Sequence, residues 1–167
     1  LNEIASAILL LREARVWLAG QSRRSARGAV VIDGSNVMYW WGGTPLITPV
    51  RDVVRTLKDL GFKTGVVFDA NAGHLLTNAY KDDAALAAML KLPVDQVMVV
   101  PSGSPADPFI LTAAREMGAV VVSNDRYREW ADDFPEVLRR GHLIKGGYRQ
   151  QELWFDFATL SDNQSAA

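Results

Sequence analysis

The 167-residue chain has no cysteine and only two histidines, His74 and His142. The first absence excludes disulfides, cysteine-ligated zinc and a cysteine nucleophile, and it leaves the redox compartment open. The second disfavours a histidine-rich metal site. Hard, oxygen-rich metal chemistry is untouched, because it needs only carboxylates. Excess charge of one sign is also missing. With 18 Lys+Arg against 19 Asp+Glu the formal net charge is -1, so nucleic-acid contacts would have to come from local patches. Long apolar runs are absent too. The stretch from Ile4 to Leu18 contains Arg12, Glu13 and Arg15 and is too short and too charged to span a bilayer. No secretory signal is visible, and Leu1 in place of an initiating methionine gives the expectation of a missing upstream segment. Membrane association is expected only if such a segment supplies it, and the expected location is cytoplasmic. No internal repeat or low-complexity tract interrupts the chain.

What is present is ordinary for a globular domain: 49% hydrophobic and 22% charged residues, in a length that buries a real core. Residues 1–19 read as a helix, and residues 21–28, with Arg23, Arg24 and Arg27, as a basic linker. Val30-Val31-Ile32 is a continuous β-branched run of the kind found in buried parallel strands, and it ends abruptly in Asp33-Gly34-Ser35-Asn36. Trp40 and Trp41 follow; base stacking, core packing and a lid anchor all remain open for them. Thr48 is expected to cap a helix with Pro49 at its first position, a buried stripe of Val50, Val53, Val54 and Leu57, and Gly61 at its end. Residues 62–69 form a second strand, 75–92 a helix stopped by Pro93, and 96–100 a third strand. Asp107-Pro108 opens a helix closed by Gly118. Residues 119–123 make a fourth strand, 126–130 a short helix, and 142–148 with 151–157 two strands around a turn. The tail, 158–167, is small and polar. Strands alternating with helices imply parallel βαβ units. The expected fold is α/β with a central, mainly parallel sheet. The expected organisation is a helix and linker over 1–28, the main α/β domain over 29–157 and a tail over 158–167.

Two stretches of this plan, Val30–Asp33 and Ala119–Asp125, end in carboxylates at the edge where open α/β sheets bind ligands. Side by side they would bring Asp33 and Asp125 together, which is costly for two anions without a cation between them. Asp107 starts a helix, and Glu129, four residues after Asp125, would share its face on a helix. Each has a plain alternative. Asp33-Gly34 makes a turn, Asp107 before Pro108 makes an N-cap, Asp125 caps the short helix, and Glu129 pairs with Arg126. Asn36 and Ser123 are neutral oxygen carriers suited to water, phosphate or turn backbone. Asp69 ends a strand at the same edge, whereas Asp82 and Asp83 read as solvated mid-helix residues. An all-oxygen cluster of this kind suits Mg²⁺ or Mn²⁺, and the reaction class that fits is phosphodiester hydrolysis.

Val30-Val31-Ile32-Asp33-Gly34-Ser35-Asn36-Val37 and Val121-Val122-Ser123-Asn124-Asp125-Arg126-Tyr127-Arg128 resemble the two signature stretches of the Regnase-type, zinc-finger-associated NYN ribonucleases, in the PIN-like nuclease group. Asp107-Pro108-Phe109-Ile110-Leu111 resembles that family's middle acidic motif. The resemblance spans roughly residues 29–157. It implies metal-binding aspartates at Asp33, Asp107 and Asp125, a further acidic residue at Glu129, and the family asparagine at Asn36. It also implies a three-layer α/β/α fold of the PIN-like/NYN kind, with helices on both faces of the sheet, and single-stranded or stem-loop RNA as substrate. The chain departs from the pattern at Ala106, where the family commonly carries a second acid, and it contains no cysteine–histidine finger.

The leading expectation is a metal-dependent endoribonuclease using Mg²⁺ or Mn²⁺, leaving a 5′-phosphate and a 3′-hydroxyl. Asn36, Asp33, Asp107, Asp125 and Glu129 are the catalytic candidates. Ser123, Arg126, Arg128, Arg139, Arg140 and Lys145 are the substrate contacts, with Arg149 a further candidate cation. A homodimer is admitted and a nucleotide cofactor is not expected. The alternative is a catalytically weak or inactive NYN domain serving as an RNA-binding or scaffolding module. A phosphatase or nucleotide hydrolase ranks below both, since neither an Asp-x-Asp motif nor a Walker loop is present. A toxin of a toxin–antitoxin pair is a biological variant of the first reading.

Overall fold

The structure, a computed structural model, describes residues 27–157. The expected N-terminal helix, nearly all of the basic linker and the tail lie outside the described residues. Five parallel strands form one sheet in the order β3-β2-β1-β4-β5. These are β1 (Ala29–Asp33), β2 (Lys63–Phe68), β3 (Val97–Val99), β4 (Val120–Val122) and β5 (Leu143–Ile144). Along β1, Val30 and Ile32 pack on one face and Val31 on the other, the alternation that a strand buried on both sides requires.

Helices cover both faces. On the first lie α1 (Gly34–Val37), α2 (Ile47–Asp59), α3 (Ala72–Thr77) and α4 (Asp83–Leu90). On the second lies α5 (Asp107–Met117), which packs Phe109, Ile110 and Ala114 against Val31, Val67 and Val121. The three-layer α/β/α fold is as expected. A two-stranded antiparallel hairpin, β6 (Gly146–Arg149) and β7 (Glu152–Phe155), adds Leu153 and Phe155 to the first layer.

Five local expectations are corrected. Helix α2 begins at Ile47 after Leu46, so Thr48 lies in its first turn instead of capping it. Pro49 is accommodated there because first-turn N–H groups have no intrahelical partner. The expected helix over 75–92 is two helices. Asn78 ends the first with φ 61°, and Asp82 starts the second by accepting from the Ala85 backbone N at 2.9 Å. Asp83 is therefore a first-turn residue, half-buried, and accepts from the Val99 backbone N at 2.7 Å. The strand expected over 142–148 divides, its first part completing the parallel sheet as β5 and its second part turning into the hairpin as β6. The short helix expected over 126–130 is a single 3₁₀ turn at Arg128–Trp130.

Connectivity decides where the site lies. From β1 the chain runs outward to β2 and β3, then returns past β1 to β4 and β5. The order reverses between β1 and β4, and such a switch point opens a crevice at the carboxyl ends of the strands.

Candidate functional site

Asp33 is the last residue of β1 and stands level with Ser123, because Ile32 pairs with Val122 across the ladder. The chain can turn into α1 directly behind it only because residue 34 is glycine. A Cβ there would lie 2.5 Å from the Phe68 ring. Asp33 is buried, 6% exposed, and three donors reach its carboxylate. Oδ2 accepts from the Tyr127 hydroxyl at 2.6 Å and from Ser123 Oγ at 2.9 Å. Oδ1 accepts from the Asn36 backbone N at 3.1 Å. Burial nevertheless dominates and pushes the carboxyl from 3.8 to about 6, with the Asp107 charge adding to the rise against the three hydrogen bonds.

Asp107 is half-buried at the start of α5. Its cap residue is Ala106, so the plain N-cap reading of Asp107 does not hold. Its Oδ2 accepts from Trp130 Nε1 at 3.1 Å. Burial raises its pKa first, and the charges of Asp125, Glu129 and Asp69 raise it further, against the Trp130 bond. Asp107 is thus the point at which the acidic residues of this edge feel one another. Asp125, two residues beyond the level of Asp33, is exposed on the turn after β4. Its Oδ1 accepts from the Tyr127 backbone N at 2.8 Å, and its own N donates to Ser123 Oγ at 3.1 Å. Glu129 belongs to the same acidic group, but not through helical spacing. Tyr127, at φ 49°, breaks the backbone between Asp125 and the 3₁₀ turn. No described contact joins Glu129 to Arg126.

The neutral candidates are both engaged. Ser123 is fully buried and bridges Asp33 to the backbone of Asp125. Asn36 Oδ1 accepts from Trp40 Nε1 at 2.9 Å and from the Asn124 backbone N at 3.0 Å. Trp40 is therefore a half-buried anchor, while Trp41 is exposed with its ring edge-on to Tyr148. Asn124 also ties the hairpin to this edge, giving Nδ2 to the Gly146 carbonyl and accepting from Gly146 N.

The cations divide by position. Arg126 and Arg128 follow β4, and Lys145 follows β5, all at the carboxyl edge. Arg139 and Arg140 precede β5 and stand at the amino edge, which separates them from Asp33 by the length of the sheet. Arg149 lies over the Trp154 ring, 4.3 Å from its centroid. Tyr127 and Trp130, the direct partners of Asp33 and Asp107, were not singled out from the sequence. The signal available there was only their place beside Asp125.

The donor set is all oxygen, as Mg²⁺ and Mn²⁺ prefer. Among the described residues no group of three or more His, Asp and Glu side chains is already disposed as an ion cage. Mg²⁺ sites commonly use one or two carboxylates and complete their shell with water and substrate phosphate, and a cation there would offset both the burial of Asp33 and Asp107 and the smaller repulsion from the neighbouring acids. The residues therefore fit that kind of ion.

The sequence family described as the Zc3h12a-like Ribonuclease NYN domain matches residues 26–153. No curated protein matches the chain. Among solved structures it is similar to Arabidopsis thaliana nuclear protein-only RNase P 2 (PRORP2). One structure of that protein aligns at TM-score 0.57 and 15% identity over 93% of this chain and 34% of the other. A second, a crystal structure, aligns at TM-score 0.62 and 14% identity over 92% and 35%. The chain thus spans about a third of those proteins' length, and at this identity the likeness carries the fold alone.

Proposed function

Since the chain belongs to the Zc3h12a-like ribonuclease NYN domain family, we propose that it is a metal-dependent endoribonuclease acting on single-stranded or looped RNA. The observation that carries this is the pairing of a buried Asp33 with Asp107 at the β1/β4 switch point, where Asp107 also feels Asp125, Glu129 and Asp69.

Asp33, Asp107 and Asp125 would hold Mg²⁺ or Mn²⁺, with Glu129 as an outer ligand. A bound ion supplies charge neutralisation at the phosphate and a more acidic water. The chain's own residues do the rest. Tyr127 and Ser123 fix one oxygen of Asp33 and so the direction of its carboxylate. Trp130 does the same for Asp107. Arg126, Arg128 and Lys145 lie on the same side of the sheet and would contact the RNA backbone. The catalytic unit is proposed to span residues 29–157.

A second reading is an RNA-binding module without turnover. It is favoured by Ala106, which is 4% exposed and packed in the core where a second acid would otherwise stand.

The test is cleavage of a labelled single-stranded RNA, and of matched DNA, by wild type and Asp125→Asn in Mn²⁺, Mg²⁺ or EDTA. RNA cleavage that needs the ion and is lost in the variant supports the nuclease. Binding without cleavage by folded wild type supports the module.

A further inference from the structure

The amide of Asn36 has only one orientation open to it. The two groups facing its Oδ1, the Trp40 indole Nε1 at 2.9 Å and the Asn124 backbone N at 3.0 Å, are donors that cannot accept. The oxygen must face both, so Nδ2 with its two hydrogens faces away. Among the described residues no acceptor takes those hydrogens. The other polar side chains bonded at this edge are already engaged. Ser123 and Tyr127 give their hydroxyls to Asp33, Trp130 gives its N–H to Asp107, and Asn124 Nδ2 goes to the Gly146 carbonyl. Ser35 Oγ accepts from the Asp69 backbone N at 2.8 Å. Asn36 is half-buried, and its own backbone N holds Asp33 Oδ1.

Trp40 is itself locked from behind. A Cβ on Gly146 would come within 2.6 Å of its ring, so the hairpin lies directly against the indole. Gly146 in turn holds Asn124 by two hydrogen bonds. Trp40, Asn36, Asn124 and Gly146 therefore form a closed circuit joining the hairpin to the end of β1.

We infer that Trp40 is a positioning residue: by holding Asn36 Oδ1 it presents Asn36 Nδ2 as a neutral donor to a phosphate oxygen of bound RNA. The carboxylates around Asn36 supply only acceptors, so a neutral donor fixed in advance among them offers an anionic diester what those side chains lack. The inference rests on the ribonuclease reading above.

The experiment replaces Trp40 with β-(3-benzothienyl)alanine, which keeps the ring shape and exchanges the N–H for sulfur, with Trp40→Phe as the genetic counterpart. The expected result is a fall of about tenfold in kcat with KM within about twofold, the size of one lost oriented hydrogen bond. In parallel, single-stranded RNA added in EDTA is expected to move the Asn36 side-chain amide resonances of wild type, and to move them less in the isostere. Undiminished kcat in the folded isostere, or wild-type Asn36 amide signals that RNA leaves in place, overturns the inference while leaving the nuclease standing. Absence of cleavage by wild type overturns the ribonuclease reading and the inference with it.

Discussion

Asp33→Asn is predicted to stabilise the metal-free protein while abolishing its chemistry. Burial holds the folded carboxyl near 6 against 3.8 for the free side chain. Between these values the folded chain keeps a proton that the unfolded chain has released, so stability falls as pH rises through that window. Above it, the cost of keeping Asp33 ionised is about 3 kcal/mol. Asparagine removes the charge but places an NH₂ where Oδ2 accepts from Tyr127 and Ser123, so both hydroxyls must turn to accept, together at a cost of about 1 kcal/mol. The net gain of about 2 kcal/mol corresponds to a rise of roughly 4–8 °C in Tm. The assay is thermal unfolding of both proteins in EDTA from pH 4 to pH 8. The Asp33→Asn advantage should be absent near pH 4 and grow to its full value by about pH 7. A variant less stable than wild type at pH 8, or a difference that does not change with pH, would refute the reasoning.

Adding Mn²⁺ should raise the Tm of wild type by mass action, and should leave Asp33→Asn nearly unmoved; equal shifts in both would put the ion elsewhere. At the opposite edge of the sheet, Arg115 Nε and Nη2 grip the buried Glu136 at 2.7 and 2.9 Å and hold its carboxyl down at about 2. A depressed carboxyl contributes stability that is full above its ordinary value and is lost as pH falls toward about 2. Glu136→Gln should therefore cost about 1–2 kcal/mol at pH 7 and almost nothing near pH 2, with RNA cleavage unchanged. Reduced cleavage at equal folded fraction would contradict the placement of the site at the other edge.

The carboxyl ends of β1 and β4 were legible because each is a continuous β-branched run stopped by small polar and acidic residues, a pattern that periodicity and turn chemistry both read. Helix α5 was legible from its proline start, apolar stripe and closing glycine. The contacts that give those carboxylates their character were not. Tyr127 reaches Asp33 across 94 positions of sequence, and Trp130 reaches Asp107 across 23, distances at which no local pattern carries information. The break at residues 78–82 was hidden because apolar residues continue on both sides of it, and only the left-handed Asn78 and the Asp82 cap interrupt the helix. The charge of Arg139 and Arg140 is visible in the sequence, while their place at the amino edge of the sheet is not. The role of Trp40 depends on Asn124 and Gly146, which only the folded chain brings to it.

The most direct measurement is the fate of a single 5′-labelled, single-stranded RNA incubated with Mn²⁺ and either wild type or Asp107→Asn, with the product ends identified. The account predicts internal cleavage by wild type, a 5′-phosphate on the downstream fragment, inhibition by EDTA and loss of cleavage in the variant. Cleavage that persists in EDTA, or an Asp107→Asn protein as active as wild type, would contradict it.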